Sequence, residues 1–404
     1  MEMKQKKLQF HKSALEVLNM IVVAVVVSLV FTACSSDSDP VLPDDDTHEL
    51  TIDEQVSQMS LHQKICQMIF VRPEAMLASL DEEKMRNVTR YAVTAVNESM
   101  EKMNEQYPVG GFVLFAHNIS DSAQLVRFTT RLHALEGTPM LCVDEEGGRV
   151  ARIANNANFG LSRFASCYAI GHEGDYTLVS AWASYIGSYL KRYGLDVDLA
   201  PVADVWTNAA NTVIGERAFS SDPDTAAQAA WAYYQALAAA GIQGCYKHFP
   251  GHGDTDADSH YGYAESFKTW AEMLTCEIKT FQLGIDNNID MIMTAHILTP
   301  NATSDGVPAS LSREMLTDKL RGELGFQGVI ITDALGMGAI ANEYPVEEAA
   351  VKAVQAGVDI VLMPLSLQRT VDAITQAVTT GTIPESRINE SVKRILTLKS
   401  KRSL

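Results

Sequence analysis

Positive charge is scarce in this chain. Its 32 lysines and arginines face 50 aspartates and glutamates, which leaves a net charge of -18 and a pI of about 4.9. A nucleic-acid binder carries a basic footprint, so that class is set aside and no nucleic-acid partner is expected. The acidity suits a soluble exported protein. Cysteine is sparse and unpatterned. Cys34 stands apart, and Cys66, Cys142, Cys167, Cys245 and Cys276 are scattered with no CxxC spacing. An odd count without framework spacing argues for buried thiols rather than a disulfide scaffold. The HEXXH arrangement that presents two histidines on one helix face is also missing.

The apolar run IVVAVVVSLV at 21–30 is too short for a comfortable membrane span. Lys4, Lys6, Lys7 and Lys12 precede it, which gives the basic-then-apolar layout of an export signal. Phe31-Thr32-Ala33-Cys34 follows and resembles a bacterial lipobox, with small residues directly before the cysteine. That resemblance implies a signal peptide over 1–34 and a lipid anchor at Cys34, with an ordinary signal peptide cleaved near Ala33 or an uncleaved anchor as the alternatives. It places the protein on the periplasmic or cell-surface face of a Gram-negative-type envelope, membrane-anchored as a lipoprotein. Segment 35–49, rich in serine and aspartate, reads as an acidic flexible tether.

The folded part is expected over 50–404, with Thr51 capping its first helix and Glu54 completing a capping box. Short apolar runs then alternate with helical stretches. Strand candidates are 67–71, 110–115, 139–144, 197–205, 242–248, 290–296, 328–333 and 359–363. Segment 74–104 is polar and free of glycine and proline, and reads as a helical insertion. Buried runs separated by helices imply a parallel sheet. About eight of them over this length suggest a (β/α)8 TIM-type barrel forming a single catalytic domain, with a doubly wound open sheet as the alternative. Polar residues cluster just after most strands, as the catalytic face of a barrel requires.

One such cluster dominates. Lys247-His248-Phe249-Pro250-Gly251-His252-Gly253-Asp254-Thr255-Asp256-Ala257-Asp258-Ser259-His260 packs a lysine, three histidines and three aspartates into a loop. Three readings are open to it. His248, His252, Asp258 and His260 could bind a metal, although a Gly/Pro-rich loop does not present them at helical spacing. A histidine oriented by a neighbouring carboxylate could act as acid and base, and Asp258 and His260 are two apart, close enough to meet in an extended loop. The bland reading is a solvated polar turn.

The same segment resembles the signature loop of the single-domain β-N-acetylhexosaminidases of glycoside hydrolase family 3. Asp144-Glu145-Glu146-Gly147-Gly148-Arg149-Val150-Ala151-Arg152, Ile214-Gly215-Glu216-Arg217 and Ile330-Ile331-Thr332-Asp333 match that family's further motifs in order. The resemblance implies a retaining exo-β-N-acetylglucosaminidase. Asp333 would be the nucleophile, Asp258 and His260 the acid/base dyad, and Asp144, Arg152, Arg217, Lys247 and His248 the groups that bind the sugar. Arg149 is expected to pair with nearby acids, Asp204 to be a rim acid, and His296 to close its strand at the rim. No metal or cofactor is implied. The partner is a carbohydrate ending in N-acetylglucosamine, whether from wall fragments, chitin-like oligomers or outside glycans. Phosphorolysis, a β-glucosidase or β-xylosidase activity, and a non-catalytic carbohydrate-binding lipoprotein are the alternatives.

Overall fold

The computed structural model describes residues 50–255 and 264–402. The leader, the tether, Cys34, Asp258 and His260 lie outside the described residues. Eight parallel strands form the centre: β1 (Ile69–Val71), β2 (Gly111–Leu114), β3 (Met140–Val143), β4 (Val197–Asp198), β5 (Gln243–Phe249), β6 (Met291–Thr294), β7 (Val329–Thr332) and β8 (Val361–Leu362). Each pairs in parallel with its neighbours in chain order, and β8 returns to β1 through Ile69 opposite Val361. The ring closes between β7 and β8, where Ile331 bridges Ile360 and the Thr332 N–H donates to the Ile360 carbonyl at 3.0 Å. This is the expected barrel, not the open sheet.

All eight sequence-predicted strands appear, most of them shortened. The largest trim is at 197–205, where regular pairing covers only Val197–Asp198. The chain nonetheless stays beside β5, with Val202 bridging Lys247 and Ala203 N–H donating to the Lys247 carbonyl at 2.6 Å. Strands buried on both faces tolerate no polar alternation, and β1, β2, β3, β6 and β7 are buried at every position. Their side chains join one continuous apolar core with the inner faces of helices such as Tyr176–Arg192 and Pro223–Ala239. Each fully buried Phe, Ile or Leu contributes about 1.5–3 kcal/mol to that core.

The first helix, Ile52–Gln58, carries the predicted capping box, with Thr51 and Glu54 satisfying each other's backbone N–H groups. Segment 74–104 departs from expectation. It is broken into a 3-10 turn Pro73–Met76, the helix Glu82–Arg86, a second turn Val88–Tyr91 and the helix Glu98–Gln106. Asp81 and Asn97 accept N–H bonds from Lys84 and Met100, so each starts a new helix instead of continuing one. Before Asn97 the chain runs through Val93, Thr94 and Val96 without regular structure and bends at Ala95.

The two ends of the barrel do different work. At the strand N-termini, Asp359 is fully buried and accepts from Ser391 Oγ at 2.6 Å, while Arg321 and Arg394 pair with it at 2.5 and 3.2 Å. That cluster fastens the last helix, Glu385–Ser400, to the start of β8. Because all strands run the same way, their C-terminal ends meet on the opposite face.

Candidate active site

A pocket of about 290 Å³ opens at that face. Nearly every strand end contributes a lining group: Arg72 follows β1, Phe115 β2, Asp144 β3, Asp333 β7 and Met363 β8, while Lys247 and His248 sit in the last turn of β5. Six sequence-predicted site residues, Asp144, Arg152, Arg217, Lys247, His248 and Asp333, are thereby brought into one cavity.

The β3 side carries alternating charge. Asp144 accepts from Arg152 Nη2 and from Lys247 Nζ, both at 2.9 Å. Lys247 Nζ also lies 2.6 Å from Glu146, which Arg217 grips with a forked pair of bonds at 2.7 and 2.8 Å. Burial pushes both carboxylates up, but the neighbouring cations outweigh it: Asp144 is held well below the usual range and Glu146 is lowered to about 2. Burial likewise works against the Lys247 ammonium, yet the same two carboxylates raise its pKa above the ordinary value.

Local geometry explains how one short segment supplies two of these groups. Residues 144–146 are extended, so Asp144 and Glu146 face the pocket while Glu145 points inward. Glu145 accepts from the Ile153 and Ala154 N–H groups at 2.8 and 2.7 Å and from Tyr189 Oη at 2.8 Å, which anchors the hairpin that returns Arg152. Gly147 turns that hairpin at φ +93°, and a Cβ there would lie 1.9 Å from the Phe164 ring. The turn directs Arg149 away from the acids. Contrary to expectation it donates to the carbonyls of Thr212 and Val213, at 2.7 and 2.5 Å, because Asp144 and Glu146 already have cations.

Asp204, fully buried at the end of the β4 segment, is more than a rim acid. Its carboxylate accepts from His248 Nδ1 at 2.7 Å and from the His252 N–H at 2.6 Å. A carboxylate can only accept, so Nδ1 of His248 carries a proton and Nε2 faces Arg217, 3.5 Å away. Burial pushes the Asp204 pKa up, and His248 more than reverses this, leaving it below the ordinary value.

Asp333 stands immediately after β7, half-buried, with the Ala334 N–H donating to its Oδ1 at 2.7 Å. Burial raises its pKa, while His296 and His248 lower it further than burial lifts it. His296 is fully buried, bonded to Ser310 Oγ at 2.7 Å and to the Ala334 carbonyl at 3.0 Å, so it braces the backbone that carries Asp333. Glu146, Asp204, Arg72 and Phe115 were not singled out as site residues from sequence. For Glu146 the alternation of extended backbone after Asp144 was a usable signal; for Arg72 and Phe115 only the barrel closure brings them in. Among the described residues no cluster of three or more metal-binding side chains occurs.

Residues 51–398 match the family model described as the glycosyl hydrolase family 3 N terminal domain. The chain is 32% identical over 351 residues to beta-hexosaminidase A of Pseudoalteromonas piscicida, covering 80% of this chain and 58% of that protein. It is 36% identical over 258 residues to the beta-hexosaminidase of Xanthomonas campestris pv. campestris strain B100, covering 63% of this chain and 77% of that one. Among solved structures, a glycoside hydrolase family 3 beta-N-acetylglucosaminidase from Paenibacillus sp. str. FPU-7 superposes with a TM-score of 0.77 at 31% identity, over 85% of this chain and 63% of that chain. M tuberculosis LpqI superposes with a TM-score of 0.71 at 27% identity, over 87% and 96% of the two chains.

Proposed function

This chain belongs to glycosyl hydrolase family 3, and from that premise we propose that it is a retaining, exo-acting β-N-acetylglucosaminidase. The observation that carries the reading is an ionised carboxylate, Asp333, at a strand end facing a wall of paired donors and acceptors. Such a wall suits the hydroxyls of one terminal sugar, since each can accept from a cation and donate to a carboxylate. Asp333 attacks the anomeric carbon, and the bond to the leaving oxygen breaks as His260, oriented by Asp258, gives that oxygen its proton. Water then attacks the same carbon, returns a proton to His260 and frees Asp333. Asp144, Arg152, Lys247 and His248 hold the sugar. Arg217 acts through Glu146, which takes up most of its donors.

Turnover of a chromogenic β-N-acetylglucosaminide by the wild type, Asp333→Ala and His260→Ala tests this. Release by the wild type that falls by about 10³-fold or more in Asp333→Ala supports the assignment. Undiminished release in that variant sinks it. Cleavage of the matching glucoside instead moves the protein to the β-glucosidase reading. Sugar 1-phosphate formed when phosphate is added marks phosphorolysis, and sugar binding without product marks a binding protein.

The envelope reading belongs to the same proposal: Cys34 carries the lipid that tethers the barrel to a membrane. Fatty-acid labelling that persists in Cys34→Ser would refute it.

A further inference from the structure

One edge of the pocket is roofed by a loop that has its own small core. Met76 and Val93 belong to the barrel core, but between them only Met85 and Val88 are buried apolar side chains, and these pack with Leu365 in a separate cluster. The two ends of the loop are stapled at one point. Fully buried Glu74 accepts from the Val93 N–H at 2.9 Å and from Asn118 Nδ2 at 2.6 Å, and the same Asn118 amide donates to the Val93 carbonyl at 2.8 Å. A loop whose ends meet and whose side chains pack beneath it is an Ω-loop, a form that frequently carries function. Away from the staple its polar ties are few. Arg369 pairs with Glu82 and also holds Glu347 through two bonds at 2.5 and 2.6 Å. Arg86 donates to the Ala341 carbonyl at 2.8 Å and to Asn342 Oδ1 at 3.3 Å. Both arginines are exposed, and exposed pairs hold weakly. Release of Glu82 would still leave Arg369 with Glu347, so parting this tie strands no cation.

We infer that residues 78–92 form a lid on the pocket, hinged at the Glu74–Val93–Asn118 staple and latched where Arg369 meets Glu82. The cavities beneath the loop carry the inference. Met85 and Arg86 line a space of about 210 Å³ together with Met337 and Met363, which also line the pocket. Arg86, Pro364 and Leu365 continue that space into another of about 290 Å³, whose walls include Glu82 and Arg369. The loop therefore covers a line of cavities that starts beside Asp333 and ends at the latch. Lifting it joins them into a side opening of the pocket, and lowering it shuts water away from whatever the pocket holds. Because Met85 and Val88 are not part of the barrel core, the loop can lift while the barrel stays folded. The closing of the lid over a sugar rests on the function proposed above, whereas its opening does not.

The experiment places a thiol under the lid with Met85→Cys, and with Val88→Cys as a second variant should the first not melt like the wild type. Alkylation of the native protein, resolved by peptide mass, is compared with that of Cys142, which is fully buried in β3 of the same molecule. The introduced thiol is expected to react on the order of 100-fold faster than Cys142, since the lid opens without the barrel. Adding Glu82→Gln should speed it by about 2- to 5-fold by freeing the latch. Saturating N-acetylglucosamine should slow it by at least as much, because a ligand that the lid covers favours the closed state. A thiol no more reactive than Cys142 overturns the inference. So does a rate that Glu82→Gln leaves unchanged, or one that N-acetylglucosamine leaves unchanged although titration shows it to bind. If no sugar binds, the proposed function fails, and the rates with and without Glu82→Gln alone decide the lid.

Discussion

Asp333 and the histidine assigned as its partner must hold opposite protonation states at the working pH. Burial raises the Asp333 pKa and the neighbouring His296 and His248 lower it further, so the proposed nucleophile is ionised above a point that lies under the ordinary aspartate value. A general acid works only below its own pKa. The expected kcat/KM profile therefore falls on the acid side only below the ordinary aspartate range, and falls on the alkaline side as the general acid loses its proton. His260→Ala should remove that alkaline fall while leaving the acid side in place. An acid limb between pH 5 and 6 that persists in His260→Ala would mean that Asp333 is not held low. At this scale the family resemblance named Asp144, Arg152, Lys247, His248 and Asp333 from sequence, and the structure brings all five to one pocket. Asp204 was seen but not understood. Its role depends on the side chain of His248, whose position follows from the way β5 runs beside the 200–205 segment.

The loop after β5 enters and leaves its described ends under one carboxylate. Asp254 accepts from Ser266 Oγ at 3.0 Å on one side and from Thr207 Oγ1 at 3.2 Å on the other, with Lys268 Nζ 3.3 Å away. Lys268 in turn pairs with the buried Glu277 at 2.5 Å. Asp254 and Ser266, which flank in sequence the stretch holding Asp258 and His260, are thus tied to each other and, through Lys268, to helix Glu277–Asp286. Asp254→Ala should lower kcat by about 10-fold on glycosides with poor leaving groups, which need the proton, and by much less on a dinitrophenyl glycoside, which does not. Equal losses on both would show that Asp254 serves stability alone. The elements themselves were readable from apolar runs, since a parallel barrel strand is buried on both faces. Segment 74–104 was not, because the absence of glycine and proline does not reveal that Asp81 and Asn97 start new helices there.

At the scale of the whole molecule, the order of strands in the sheet repeats their order in the chain, which is why counting apolar runs sufficed to find the architecture. The division of labour between the two faces could not be counted in that way: Asp359 and Asp333 both end or begin strands, yet one fastens a helix and the other faces the pocket. The ion pairs of the pocket have a further consequence. Among the described residues of the pocket, and with its histidines neutral, Arg72, Arg152, Arg217 and Lys247 are matched in number by Asp144, Glu146, Asp204 and Asp333, so this wall is electrically balanced inside a strongly acidic protein. An uncharged sugar arriving at its mouth feels little long-range pull or push. Between about 0.05 and 0.5 M salt, where the screening length shrinks from roughly 14 to 4 Å, kcat/KM for a neutral glycoside should hardly move. A steep salt dependence would reveal an unbalanced charge at the entrance. A balanced pocket makes capture a matter of fit and diffusion, indifferent to the ionic strength around the protein.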